Sequence, residues 1–154
     1  MMKERILISA CLLGLHCRYD GGHQKISGTE RLEEAFTLIP ICPEQAGGLS
    51  TPRIPCELQN DAIQILDGKG RVLNRNNEDC TDMFIKGASE ALFLTDLFQI
   101  KKALLKEGSP SCGSSGVYDG TFSGTCKPGE GITTCLLRKH GIQVYNENQT
   151  DELI

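Results

Sequence analysis

Apolar residues in this chain fall into short blocks separated by polar stretches rich in glycine and proline, with one longer segment at helical spacing. Ile6, Leu7 and Ile8 begin a compact strand over residues 5–10, and Gly14 to Gly22, holding Arg18, Tyr19 and an Asp20-Gly21 turn, reads as a loop. A short helix over 29–35, capped by Thr29, carries Leu32, Ala35 and Phe36 at helical spacing. A second strand over 36–42 follows it, so a right-handed crossover to a parallel neighbour is expected. Pro43, Gly47, Gly48, Pro52 and Pro55 predict irregular chain over 43–57. Residues 62–66 and 71–73 flank Asp67-Gly68-Lys69-Gly70 and predict a β-hairpin at the edge of the domain.

From 78 to 99, Met83, Phe84, Ala88, Ala91, Leu92, Leu94, Leu97 and Phe98 hold helical spacing, with Gly87 and Thr95 as points of bending or shortening. A third buried strand at 103–106 precedes a Gly/Ser-rich segment over 108–131, and loops of that length inside a compact domain are usually functional. A last helix over 130–139 stops at Gly141, and a last strand covers 142–145. This order predicts one α/β domain over residues 1–154, with three layers, a mostly parallel sheet and an added β-hairpin. Ligands of open parallel sheets bind beyond the carboxyl ends of the strands. Cys11, Cys42 and the Ser109 to Cys112 loop all follow strands there.

Composition narrows the function. With 154 residues and 39% hydrophobic content, the chain can fill one ordinary core. Its 16 Lys+Arg against 20 Asp+Glu give a net charge of -4, which argues against binding extended nucleic acid or an anionic membrane. Tryptophan is absent and aromatics are 5% of the chain, too few for a base-stacking platform. Ile8-Ser9-Ala10-Cys11 resembles a lipoprotein cleavage box, but the apolar run before it is far shorter than the roughly 7 to 15 residues of a secretory core. No stretch approaches the roughly 18 apolar residues of a membrane span. A cytoplasmic protein is expected. In that reducing setting, the eight cysteines point to metal binding or catalysis rather than disulfides, and the Asn148 sequon carries no meaning.

Cys80, Cys126 and Cys135 read as core or neutral surface positions, since free cysteine behaves as a small hydrophobe. Cys17 and Cys56 stay open, Cys17 as an alternative ligand or sulfur acceptor. Cys11, Cys42 and Cys112 each follow a different strand at the same end of the sheet, which favours one shared soft-metal site. Structural zinc sites usually show paired C-x2-C knuckles, and this chain has none. Widely spaced single cysteines fit an iron-sulfur cluster, or zinc with an unusual fourth ligand. Of His16, His23 and His140, only the first two are near enough in sequence to reach such a site. Glu44 and Ser109 flank the cysteines. Glu44 is either a solvated loop carboxylate or a proton shuttle, and Ser109 either turn chemistry or a functional hydroxyl. Arg18 and Arg53 pair with Asp20 and Glu57, or contact an anionic or carbonyl-rich ligand.

Three segments, SACLLGLHCRYDG at 9–21, CPEQAGGLSTPRIPCE at 42–57 and LLKEGSPSCGSSGVYDGTFSG at 104–124, resemble the family typified by thiouracil desulfidase, once a domain of unknown function. The likeness continues through GEGITTCLL and GIQVYNE and covers nearly the whole chain. NNEDCTDMF departs from the glycine-bearing form usual before the long helix, without touching the expected site. The resemblance implies a 4Fe-4S cluster held by Cys11, Cys42 and Cys112, one iron without a protein ligand, and Glu44 with Ser109 as the catalytic pair. The activity implied is non-redox removal of sulfur, as sulfide, from a small thio-base or similar thiocarbonyl compound. The neighbour that would activate Ser109 is expected to be Lys106 or Glu44. Two other readings predict different chemistry: a zinc or other metal module without turnover, and a cluster-free persulfide carrier using Cys17 or Cys112.

Overall fold

A computed structural model describes residues 2–154. Strand β1 (Glu4–Ser9) runs into a 3-10 turn at Ala10–Leu13, helix α1 (Thr29–Ala35) leads into β2 (Phe36–Ile41), and the short helix α2 (Pro43–Ala46) follows at once. Strand β3 (Cys56–Leu58), helix α3 (Ala62–Leu66) and strand β4 (Val72–Asn74) come next, before the long helix α4 (Thr81–Phe98) and strand β5 (Lys102–Leu105). Strands β6 (Gly116–Tyr118) and β7 (Cys126–Pro128), helix α5 (Ile132–Lys139), strand β8 (Gln143–Asn146) and helix α6 (Thr150–Leu153) follow.

The central sheet has the order β2-β1-β5-β8, and every pairing in it is parallel. Pro40 sits on β2, the edge strand, where its missing N–H costs no ladder bond. Alternation along β1 builds a core on both faces. Ile6 and Ile8 pack with Leu32 of α1 and Leu104, while Leu7 packs with Ala91 of α4, Leu105 and Leu137 of α5. The helices therefore cover both faces, giving the expected three layers. Ile6, Leu7 and Ile8 are all fully buried, each contributing about 1.5–3 kcal/mol of transfer free energy. Among the described residues, no helix is long and apolar enough to cross a membrane.

Three local expectations change. Residues 62–66 are helical, so the hairpin expected from 62–66 and 71–73 is replaced by an antiparallel pairing of β3 with β4. Asp61 starts that helix, its N–H bonded to Gln64 Oε1 at 3.3 Å, as in a capping box. The stretch expected to be irregular over 43–57 holds α2, with Pro43 at its first turn, and the start of β3. Within the Gly/Ser-rich segment, β6 and β7 pair as antiparallel strands.

Helix α4 runs unbroken through Gly87. A Cβ there would overlap Pro43 O of α2, and a Cβ on Gly47 would overlap Met83 O of α4. The two glycines let these helices touch backbone to backbone, which seats the helix bearing Glu44. Gly87→Ala is therefore expected to destabilise the cluster-free reduced protein by about 1–3 kcal/mol through overpacking. Thermal denaturation should show a midpoint lowered by several degrees, whereas Ala at exposed Ser89, on the same helix, should leave it nearly unchanged.

Candidate functional site

The carboxyl ends of β2, β1 and β5 lie side by side, and a cysteine follows each. Cys11 lies in the 3-10 turn directly after β1, which closes at Gly14 with φ of 103°, a value that suits glycine. Gly14 N–H donates to Cys11 O at 3.2 Å, and Gln24 N–H reaches the same carbonyl at 2.9 Å. The intervening loop is thereby folded back, carrying Cys17 into the interior. Cys17 is 4% exposed and lies in thiol contact with both Cys11 and Cys42. Cys42 caps α2, and its thiol donates to Cys17 O at 3.6 Å.

Cys112 occupies the turn after β5, with its thiol close to the hydroxyls of Ser9 and Ser111. Helix α5 holds this turn in place. Its first amides donate to the turn's carbonyls, Ile132 N–H to Pro110 O at 2.9 Å and Thr133 N–H to Ser111 O at 2.8 Å. Thr134 Oγ1 donates to Cys112 O at 2.9 Å.

Cys17, Cys42 and Cys112 resist ionisation. Contact with Cys11 raises the pKa of Cys17, with burial adding to it. Contact with Cys17, then burial, raises that of Cys42. Burial, reinforced by the charges of Glu44 and Cys42, pushes Cys112 up to about 12 against the opposing hydroxyls of Ser9 and Ser111. Such thiols become thiolates only when a cationic centre supplies the compensating charge. Among the described residues, no three His, Cys, Asp or Glu side chains are arranged to hold a single metal ion.

Glu44 and Ser109 come together beside the cysteines. Ser109 Oγ lies 3.1 Å from Ser111 Oγ, which lies 3.4 Å from Glu44 Oε2. Ser111 is thus the side chain bonded to Ser109 Oγ. Lys106 is turned away, with Nζ 2.8 Å from Glu147 Oε2 and 2.8 Å from Glu107 O. Arg53 does not pair with Glu57, whose carboxylate instead accepts the Gly120 and Phe122 amides. The Arg53 side chain is 5% exposed, with Nη2 at 3.4 Å from Glu44 Oε2 and 3.1 Å from Cys17 O. Its Nη1 donates to Ser50 O and Thr51 Oγ1, and its Nε is buried without a partner.

Arg18 stacks over Tyr19, and Asp20 binds the Gly22 amide. His16 and His23 meet edge to face at 4.9 Å, and the Nδ1 of each is bonded within their own loop. Cys56 lies against Cys80, both buried, while Cys135 is buried in α5 and Cys126 is exposed.

Glu107 was not singled out by the sequence. Its Oε1 accepts the amides of Gly108, Ser114, Ser115 and Gly116, and its Oε2 accepts the Ser114 and Ser115 hydroxyls and Asn146 Nδ2. This one carboxylate organises the loop that follows Cys112. A Glu beside a Gly/Ser run is the only sequence signal, and it is a weak one.

Comparison with known proteins adds independent findings. A profile of the 2-thiouracil desulfurase family matches residues 6–149. The Bacillus subtilis (strain 168) protein YbbK, described as uncharacterized, is 37% identical over 150 residues, covering 97% of this chain and 99% of its own. The solved structure of the 4Fe-4S-dependent thiouracil desulfidase TudS superposes with a TM-score of 0.89 at 46% identity, covering 98% of this chain and 95% of that one.

Glu107 carries a pH prediction. Burial raises its pKa, but the bonds from Ser115, Ser114 and Gly108 outweigh that and bring it from 4.5 to about 2. A carboxylate depressed in the folded state stabilises above its unfolded pKa and loses that contribution as pH falls through the folded value. Glu107→Gln should therefore be less stable than the parent at pH 7. The gap should close between about pH 4.5 and about pH 2, as read from urea midpoints across that range.

Proposed function

We propose, from the premise that this chain belongs to the 2-thiouracil desulfurase family, that it is a 4Fe-4S-dependent desulfidase. Its reaction would convert a small thiocarbonyl compound, such as a thiolated nucleobase, and water into the carbonyl compound and sulfide, with no net redox change. Cys11, Cys42 and Cys112 would hold the cluster. The observation that carries this reading is the gathering of buried Cys11 and Cys112 and half-buried Cys42 from adjacent strand ends beside one carboxylate.

The residues suit such a group. Soft thiol donors match iron-sulfur chemistry, and a cluster held by thiolates is anionic. The partnerless Nε of Arg53, buried next to Glu44 and Cys17, is a donor suited to that charge. When bound, a cluster with three protein ligands supplies a Lewis-acidic iron that polarises the thiocarbonyl, much as metals polarise carbonyls.

The protein's own groups would handle water and protons. Glu44 takes a proton from the water that adds at the thiocarbonyl carbon and returns it to the departing sulfur or the ring nitrogen. Ser109 orients that water. Arg53 fixes the carboxylate through Oε2, which aims its other oxygen at the reacting water.

Protein purified and reconstituted without oxygen should be brown, carry about four iron and four acid-labile sulfide per chain, and release sulfide from 2-thiouracil. Cys112→Ala should lose both cluster and turnover. Glu44→Gln should keep the iron and lose activity by about 10²–10⁴-fold. Zinc in place of iron and labile sulfide, or full activity in iron-free protein handled in air, would overturn the reading.

A further inference from the structure

A serine hydroxyl has one proton to donate and two lone pairs to receive with. Ser109 Oγ receives two backbone N–H bonds, from Ser111 and from Cys112, each at 3.1 Å. Its remaining neighbour is Ser111 Oγ at 3.1 Å. With both lone pairs occupied, the Ser109 proton points at Ser111. Ser111 then gives its own proton to Glu44 Oε2 at 3.4 Å, the oxygen that Arg53 Nη2 also approaches at 3.4 Å. No hydrogen bond from the described residues reaches Glu44 Oε1, and that atom is not among the sealed, unpartnered polar atoms.

We propose that Ser111 is the positioning residue that sets proton direction at this site. It holds Ser109 as a hydrogen-bond donor rather than a base, and it ties down Glu44 Oε2 so that Oε1 is the oxygen left for water. The proposal rests on the desulfidase reading and deepens it. Ser109 can accept a proton from water only by giving up one of two backbone amides, so deprotonation of water falls to Glu44. Ser109, with two amides drawing on its oxygen, can meet the reacting water only as a donor, by turning its proton away from Ser111. Ser111 is 1% exposed, so solvent does not compete for its hydroxyl. Its carbonyl is held by the Thr133 and Thr134 amides, which keeps the backbone in place when the hydroxyl is removed.

Two readouts test this, on reconstituted protein with 2-thiouracil and on the cluster-free reduced chain. Ser111→Ala should retain the parent's iron content and KM while kcat falls about tenfold, and Ser111→Thr should restore most of the loss. Once Glu44→Gln is present, adding Ser111→Ala should cost nothing more. Loss of iron in Ser111→Ala, unchanged kcat, or a Thr variant as poor as the Ala variant would each overturn the proposal. Absence of desulfidation in iron-loaded parent protein would instead overturn the proposed function. The cluster-free chain then decides on its own: Glu44→Gln should shift the Cys112 amide resonance with Ser or Thr at 111, and much less in a Ser111→Ala background. Equal shifts in the three backgrounds would refute the chain of hydrogen bonds.

Discussion

Strand β1, locked in parallel between β2 and β5, is the constraint on which the rest depends. Neighbouring strands lie about 4.8 Å apart, so the exits of three such strands fall within roughly 10 Å of one another whatever their loops contain. The pairing of Ser9 with Ile41 brings the chain after β1 and the chain after β2 out at the same level. The turn that carries Cys11 is anchored in the core by Leu12, but the segments after it and around Cys42 and Cys112 have little apolar content with which to fix themselves. They are fixed from outside: the backbone contact between α2 and α4, the amides of α5 on the Cys112 turn, and the Gln24 bond that folds the first loop back.

That convergence crowds groups that repel each other when charged. Cys17 touches both Cys11 and Cys42, and the charge of Glu44 bears on both Cys42 and Cys112. Arg53 is the cation set among them, and burying a guanidinium costs several kcal/mol unless its donors are used. Four of its bonds go to carbonyl, hydroxyl and carboxylate oxygens, so the cost is offset everywhere except at Nε. A satisfied fork with one donor left over is what a site needs in order to hold a carboxylate rigid and still face a further anion.

The parallel frame and the cysteine positions were legible in the sequence because apolar runs with a cysteine at the end survive any small error in boundaries. The segment at 62–66 shows where pattern fails. Ile63 and Ile65 alternate as a strand would, yet Ile65 is fully buried and Ile63 is 42% exposed, so the two lie on different faces of a helix. Five residues are too few to separate the two periods, and the Asp61 and Gln64 pair decides the matter. The sequence did not single out Ser111 or Glu107, and it paired Arg53 with Glu57 or a ligand rather than with Glu44, for a different reason. Serine in a Gly/Ser turn, arginine between prolines and glutamate before glycine are ordinary loop residues, and their roles come from contacts across 67, 9 and 39 positions of chain.

Glu44 and Glu107 make the same point in chemical terms. They are the same residue type in segments that follow two strands of one sheet, Glu44 in α2 and Glu107 after β5, and their surroundings differ. Glu107 has four amides on one oxygen and three side-chain donors on the other, so neither oxygen is left to take a proton. It is a fixed anion that shapes a loop. Glu44 has two donors on Oε2, from Ser111 and Arg53, and Oε1 remains open. An anion with every acceptor position used is held on all sides, whereas one anchored through a single oxygen keeps its orientation and leaves the other oxygen open. The distribution of donors between the two oxygens, rather than the presence of a carboxylate, separates a closed anion from one with an open oxygen at this sheet edge.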